Sequence, residues 1–301
     1  MPSVRQSLLA TLTRRYPLYS GGIRLANHSV IRRIGGTSNE LVWSRVNGGE
    51  VLARLDDLVG RTAFYTGDLD RKISWVCARL VKPGDTVLDI GANIGIVSLW
   101  LSKLVGEKGR VHAFEPNPEL CELLEKTIRR NQAFNIHSHP VALGAESGQM
   151  QLRLRAGNTG SGSLIRNDNL PGHQTFSVPV QTLDSIVDQE AITAIRLIKI
   201  DVEGFEAEVL QGGLQVLQSI RPQAILFESN EQDAGLPGAQ PVFKILKETG
   251  YGFFAIPKCR FRMYLERFDP DRASHAAITD FLAVQRNACF EEIATAVGAR
   301  G

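Results

Sequence analysis

The sequence predicts an α/β fold: a doubly wound, mostly parallel sheet covered by helices on both faces, with a small N-terminal cap. Three observations predict it. From Thr86 onward, short apolar runs alternate with longer amphipathic ones, which is the pattern of parallel strands joined by helical crossovers. A glycine turn, Gly91 to Gly95, follows the first of these strands, and an acidic residue, Glu115, ends the second. The last two apolar runs, 251–256 and 281–285, have no convincing helical pattern between them, so an antiparallel pairing is expected there.

Taken in order, residues 1–20 read as a short helix ending near Pro17. Stretches 29–34, 40–46 and 51–55 are β-like, with turn signals at Gly35-Gly36 and Asn47-Gly48-Gly49. Residues 1–66 are therefore expected to form a helix and β cap, and 67–301 the main domain. A helix over 70–80 is stopped by Lys82-Pro83-Gly84-Asp85. Strand 86–90, helix 94–105, strand 110–114, helix 118–131 and a strand within 135–143 follow. Residues 148–181 interrupt the alternation as a β insertion, with pieces at 149–155 and 176–180. Between them the Gly/Ser/Asn-rich stretch 157–163 reads as a flexible turn or a loop over substrate. Strand 195–200, helix 205–219, strand 223–227 and helix 241–249 precede the last two strands.

Composition sets outer limits. Hydrophobic residues make up 43% and charged residues 22%, which excludes a mainly disordered chain. Net charge is +2 with both signs dispersed, so no nucleic-acid partner is expected. Cys77, Cys121, Cys259 and Cys289 form no CxxC pair and read as reduced thiols, with no metal site among them. No stretch approaches the ~18 apolar residues of a spanning helix, and the N-terminal run is too short for a signal peptide. A cytoplasmic location is the default, with peripheral membrane contact through the basic N-terminal segment left open.

In an open parallel sheet, ligands bind beyond the carboxyl ends of the strands. Acidic residues stand at four of the five principal ends, in the segments that begin Asp89, Glu115, Asp201 and Glu228, and none of those ends carries Lys or Arg. The carboxylates cap the following helices, or they line a site for a cationic ligand with hydroxyls, such as a sulfonium cofactor bearing a ribose. A phosphate ligand would call for cations instead. Asn93 also occupies the position where a dinucleotide turn needs its middle glycine. Glu115 suits the ribose of either cofactor.

The phrases VLDIGANIG, VHAFEPNP, VALG, VQTLDSIV, LIKIDVEGFEAEVLQGG and ILFE, in that order, resemble the FkbM-type methyltransferases over roughly residues 65–230. The resemblance implies a Rossmann-like methyltransferase sheet with a reversed terminal strand and S-adenosylmethionine as methyl donor. It also implies O-methylation of a hydroxyl on a sugar, glycan or secondary metabolite. By position, Asp89, Gly91, Ala92, Asn93 and Gly95 would line the methionine end of the cofactor. Glu115 would hold the ribose, with Pro116 and Asn117 shaping that turn, and Ala142 and Leu143 would flank the adenine. Asp201 would face the methyl group or the cofactor tail. Where the family often shows Gly-x-x-Glu, this chain has Gly67-Asp68-Leu69-Asp70.

A hydroxyl acceptor needs a base or a metal ion to take its proton. Asp201, Glu203 and His139 are the candidate bases, and a divalent cation between Asp201, Glu203 and Glu228 is a further option. His112 reads as a core group, and His137 and His139 read as structural residues or, for His139, a base. Lys258, Arg260, Arg262 and Arg267 read as a solvated surface or as contacts to an anionic acceptor. Two other functions share this fold: a nicotinamide-dependent oxidoreductase, and a non-catalytic methyltransferase-like binding module.

Overall fold

In the computed structural model, which describes residues 2–36, 39–155, 158–165, 174–229, 236–272, 278–287 and 289–300, the N-terminal layer is largely helical. Helix α1 (Val4–Thr13) starts at a capping box in which the side chains of Ser3 and Gln6 each accept from the other's amide. Helices α2 (Gly22–Ala26) and α3 (Ser29–Gly35) follow, then the hairpin β1 (Leu41–Val46) and β2 (Gly49–Arg54), turned at Gly48 with φ of +93°. Helix α4 (Leu58–Thr66) is capped by Asp57.

Two expectations change here. Residues 29–34 are helical, not extended. Their β-branched side chains favour a strand locally, but the buried residues Ile31 and Gly35 are four apart, and Gly35 lies so close to the Tyr65 hydroxyl that no Cβ fits. Helix α4 escaped the sequence reading because Val59 through Thr66 are all buried, leaving no polar face to give a helical period.

Helix α5 (Arg71–Leu80) begins at Asp70, whose carboxylate accepts from the Lys72 amide. Then come β3 (Thr86–Ile90), α6 (Ile96–Val105), β4 (Arg110–Phe114), α7 (Pro118–Asn131) and β5 (Ile136–His139). The strand expected within 135–143 is two strands. After β5 the chain leaves the main sheet, and β6 (Ala142–Leu143) joins a second one with β7 (Gly148–Arg155), β8 (Asn158–Ile165) and β9 (Gln174–Gln181). The stretch read as a loop at 157–163 thus carries strand β8 from Asn158 onward, while Gly157 lies outside the described residues.

Helix α8 (Leu183–Gln189) returns the chain to β10 (Leu197–Ile200). The helix expected over 205–219 is broken into α9 (Glu206–Gln211) and α10 (Leu214–Ser219). The break falls at Gly212, where a Cβ would collide with the Gly144 carbonyl. Strand β11 (Ala224–Glu228), helix α11 (Pro241–Glu248), strands β12 (Tyr251–Ala255), β13 (Glu266–Phe268) and β14 (Asp280–Gln285), and helix α12 (Cys289–Ala296) complete the chain.

The main sheet has the order β13-β12-β14-β11-β10-β3-β4-β5. Strands β5, β4, β3, β10 and β11 are parallel; β14 runs antiparallel to both β11 and β12, so the expected reversal is present, with the reversed strand inserted inside the sheet. One apolar layer packs α5, α6 and α7 on Val87, Val111 and Leu197. The other packs α9, α10 and α11 on Leu88, Ile198 and Ile225. Alternate residues of each buried strand feed the two layers. Val46, Val51 and Ala53 of the hairpin join the first layer, while Ala10, Ile31, Leu55 and Tyr65 form a separate cluster. Among the described residues no helix is long and apolar enough to cross a membrane.

Candidate active site

Strand order turns back between β3 and β10, so a crevice opens beyond the carboxyl ends of β3, β4 and β10. A cavity of about 400 Å³ fills it, within the range of small-molecule sites. Gly91, Ala92 and Asn93 form one wall, Glu115, Pro116 and Asn117 another, and Val141, Ala142 and Leu143 a third. Asp201, Glu203 and Glu228 line it as well. Leu58, Leu69, Ile73 and Val97 add apolar surface, and Lys72, Lys258 and Asp280 add charge.

The glycine turn is held tightly. The amides of Gly91 and Ala92 both donate to the Phe114 carbonyl at 3.0 and 2.9 Å. Gly91 has φ of +80°, and a Cβ there would collide with the Asp201 carbonyl oxygen, so this wall and the β10 end are in backbone contact. We expect Gly91→Ala to destabilise the fold by about 1–3 kcal/mol from backbone strain alone, read as a lowered urea midpoint, with cofactor affinity falling in parallel.

Glu115 is buried, 6% exposed. Its Oε2 accepts from the Asn93 amide and its Oε1 from the Asn117 amide, both at 2.9 Å. Burial pushes its carboxyl up to about 7, against the lowering effect of those two amides. Asn117 also caps α7 by accepting from the Glu119 amide, so a single turn fixes both carboxylate and helix.

Lys199 is the residue the sequence reading passed over. It stands in register beside Asp89 on the neighbouring strand. Its Nζ lies 3.1 Å from Asp89 Oδ1 and 3.4 Å from Asp201 Oδ2, and donates to the Gly91 carbonyl at 3.0 Å. Burial alone would lower its pKa, but Asp89 and Asp201 together hold the ammonium above its ordinary value. Ser98 Oγ completes the arrangement by donating to Asp89 Oδ2 at 2.6 Å. The signal was a lone lysine in the apolar strand LIKI, which faces both core layers and tolerates a charge only when paired.

Of the residues singled out from sequence, Gly91, Ala92, Asn93, Glu115, Pro116, Asn117, Ala142, Leu143, Asp201 and Glu203 meet at this cavity. Asp89, Gly95 and His139 do not line it. Asp89 is fully buried beneath the turn, and Gly95 is the N-cap of α6, packed on Leu124. The His139 ring stacks on Phe114, and its Nε2 is 3.1 Å from His112 Nδ1. His173 and His275 lie outside the described residues.

The divalent cation suggested between Asp201, Glu203 and Glu228 is not supported. Among the described residues these carboxylates do not gather at metal-ligating spacing, whereas His112, His139 and Glu190 do. Asp201 and Glu203 follow β10 whereas Glu228 ends β11, and Asp201 is drawn toward Lys199 instead.

Asp70 and Lys72 bring a further group to the cavity. Lys72 is 4% exposed and bridges Asp70 and Asp280 at 3.4 and 2.7 Å. The Gly-x-x-Asp segment thus supplies both the α5 cap and a wall of the site.

A parallel sheet turned back at β3/β10, with a reversed strand near its end and an acidic crevice, defines a Rossmann-like methyltransferase fold. The model of the methyltransferase FkbM domain matches residues 89–253, and this chain belongs to that family. It is 27% identical to the 31-O-demethyl-FK506 methyltransferase FkbM of Streptomyces tacrolimicus over 58% of this chain and 75% of that protein. It is 28% identical to the hexuronic acid methyltransferase AglP of Haloferax volcanii over 45% of this chain, spanning about half (53%) of that relative's length. A solved structure of Aeropyrum pernix fibrillarin with bound S-adenosyl-L-methionine aligns with a TM-score of 0.39 and 13% identity, over 83% of this chain and 85% of that one.

Proposed function

We propose that the protein is an S-adenosylmethionine-dependent O-methyltransferase acting on a hydroxyl of a sugar, glycan or secondary metabolite. The observation that carries this reading is the turn that holds Glu115: Asn93 stands where a dinucleotide turn needs glycine, and its amide, with that of Asn117, pre-positions both oxygens of this buried carboxylate at the edge of the cavity. The donor set fits the cofactor. Glu115 would accept from the ribose hydroxyls through its remaining lone pairs. Ala142 and Leu143 would give an apolar flank for adenine, and the turn 91–93 would hold the amino-acid tail. Two relatives, the 31-O-demethyl-FK506 methyltransferase and the hexuronic acid methyltransferase, favour oxygen and sugar acceptors.

When bound, the cofactor supplies an electrophilic methyl group. The chain's own residues orient the acceptor and take its proton. Glu203 lines the cavity from an exposed turn, and partial desolvation there, then Asp201 and Glu206, raise its pKa above the ordinary carboxylate value. That direction suits a general base. Asp201, tied to Lys199, holds the turn and faces the cofactor. Lys72 and Asp280 offer a donor and an acceptor for further hydroxyls of the acceptor.

Calorimetric titration with S-adenosylmethionine and with NAD tests the reading. The former should bind and the latter should not; NAD binding alone would favour an oxidoreductase. Ribose donation requires the Glu115 carboxylate, whose carboxyl titrates at about 7 in the folded protein. Affinity should therefore rise with pH from about 6 to 8, approaching tenfold per unit below the pKa, with proton release detectable by comparing buffers of different ionisation enthalpy. In the free protein the same raised pKa works in the opposite sense on stability, which declines as pH climbs from the unfolded value of a glutamate, about 4.3, through about 7. A cofactor affinity flat across this range would sink the assignment of Glu115.

A further inference from the structure

The N-terminal layer differs in charge from the rest of the protein. Residues 1–39 contain six arginines (Arg5, Arg14, Arg15, Arg24, Arg32 and Arg33) and no carboxylate, in a chain whose net charge is only +2. Arg14 is used internally, donating to the Phe64 carbonyl. The other five are exposed.

Large apolar side chains are exposed on the same helices. Val4, Leu8 and Leu12 of α1 are 77%, 62% and 66% exposed and recur every four residues, so they form one stripe along the helix. Val30 and Ile34 of α3, both 52% exposed, repeat the spacing. The two helices are joined where Gln6 Nε2 donates to the Gly35 carbonyl at 2.7 Å. The inward residues Ala10, Ile31 and Gly35 already satisfy the layer's own core, so these stripes are surplus to it.

We propose that this layer docks on an anionic lipid bilayer and holds the cavity at the membrane surface. Apolar stripes and exposed arginines on helices that carry no acidic side chain match the headgroup and acyl boundary of such a membrane. A nucleic acid would use the arginines but leave the leucines in water. A second copy of this chain would bring the same arginines against its own. The layer also adjoins the site: Ile23 of α2, next to Arg24, lines the cavity. An acceptor carried in or on the bilayer would therefore reach the site without leaving the surface. Docking itself does not depend on the methyltransferase reading.

The test is flotation of the full chain with vesicles of phosphatidylcholine alone or with phosphatidylglycerol added. Binding is expected only to the anionic vesicles, and to weaken strongly in 0.5 M salt. The Leu8→Ser/Leu12→Ser variant should lower partitioning at least tenfold. The Arg5→Gln/Arg32→Gln/Arg33→Gln variant should lower it roughly a hundred-fold, at the strength expected of basic side chains near an anionic surface. Both replace exposed residues, and unchanged melting and cofactor binding would show that they fold. Three results would overturn the proposal: no flotation with anionic vesicles, equal flotation of wild type and variants, or a self-association abolished by Leu8→Ser/Leu12→Ser without lipid binding. RNA binding without lipid binding would equally count against it.

Discussion

Lys199→Met should destabilise the protein by about 3–5 kcal/mol, the loss expected when one partner of a buried ion pair is removed and the other stays charged. Asp89 is fully buried and would keep only the Ser98 hydroxyl. The loss would also reach the site, because Lys199 ties the β3 and β10 ends together through Asp89, Gly91 and Asp201. Urea unfolding gives the stability, and calorimetry should show cofactor affinity falling with it. The Asp89→Asn/Lys199→Met pair should be less destabilised than the sum of its single changes, since the amide needs no counter-ion. A Lys199→Met protein within about 1 kcal/mol of wild type would mean that this cation is not what holds the strand ends.

Glu203→Gln should lower kcat by about 10²–10⁴, the range contributed by a positioned general base. Cofactor Kd should change little, because the role proposed for Glu203 is toward the acceptor and not the cofactor. The wild-type kcat should rise with pH through a pKa above the ordinary carboxylate value, as partial desolvation and the neighbouring Asp201 and Glu206 imply, and that limb should vanish in the variant. A Glu203→Gln enzyme with kcat within tenfold of wild type would transfer the role elsewhere. Asp201→Asn would not be an equivalent control, because it also weakens the Lys199 network.

Much of the sheet was legible because its strands are bounded by strong punctuation. Pro83-Gly84 precedes β3, and Asn117-Pro118 starts α7, so β3, β4 and α7 coincide with the sequence expectation. The N-terminal layer was less legible. The β-branched run 29–34 carries no local sign that tertiary contact with Tyr65 makes it a helix, and α4 is buried nearly all round. The strand expected within 135–143 concealed a change of sheet, because apolar residues on either side of Pro140 look alike whichever sheet receives them.

The candidate site divides in the same way. Residues at strand ends were found because topology alone places them in the crevice. Counting charges at those ends missed Lys199, which enters from inside a strand. Asp89 and Gly95 were drawn into the lining by motif position, whereas the structure uses them one layer down, as a counter-ion and a helix start.

The insertion of β14 between β11 and β12 has a consequence for how the protein is made. After β3, strands β4, β5, β10 and β11 can pair as they leave the ribosome, each beside a neighbour already synthesised. Strand β12 has no seat on the sheet until Asp280–Gln285 arrives to bridge it to β11. The nascent chain must therefore carry an open β11 edge from the synthesis of Glu228 until that of Asp280. During that interval the exposed β11 edge is the place where a holding chaperone would act, and where stalled chains would be expected to aggregate.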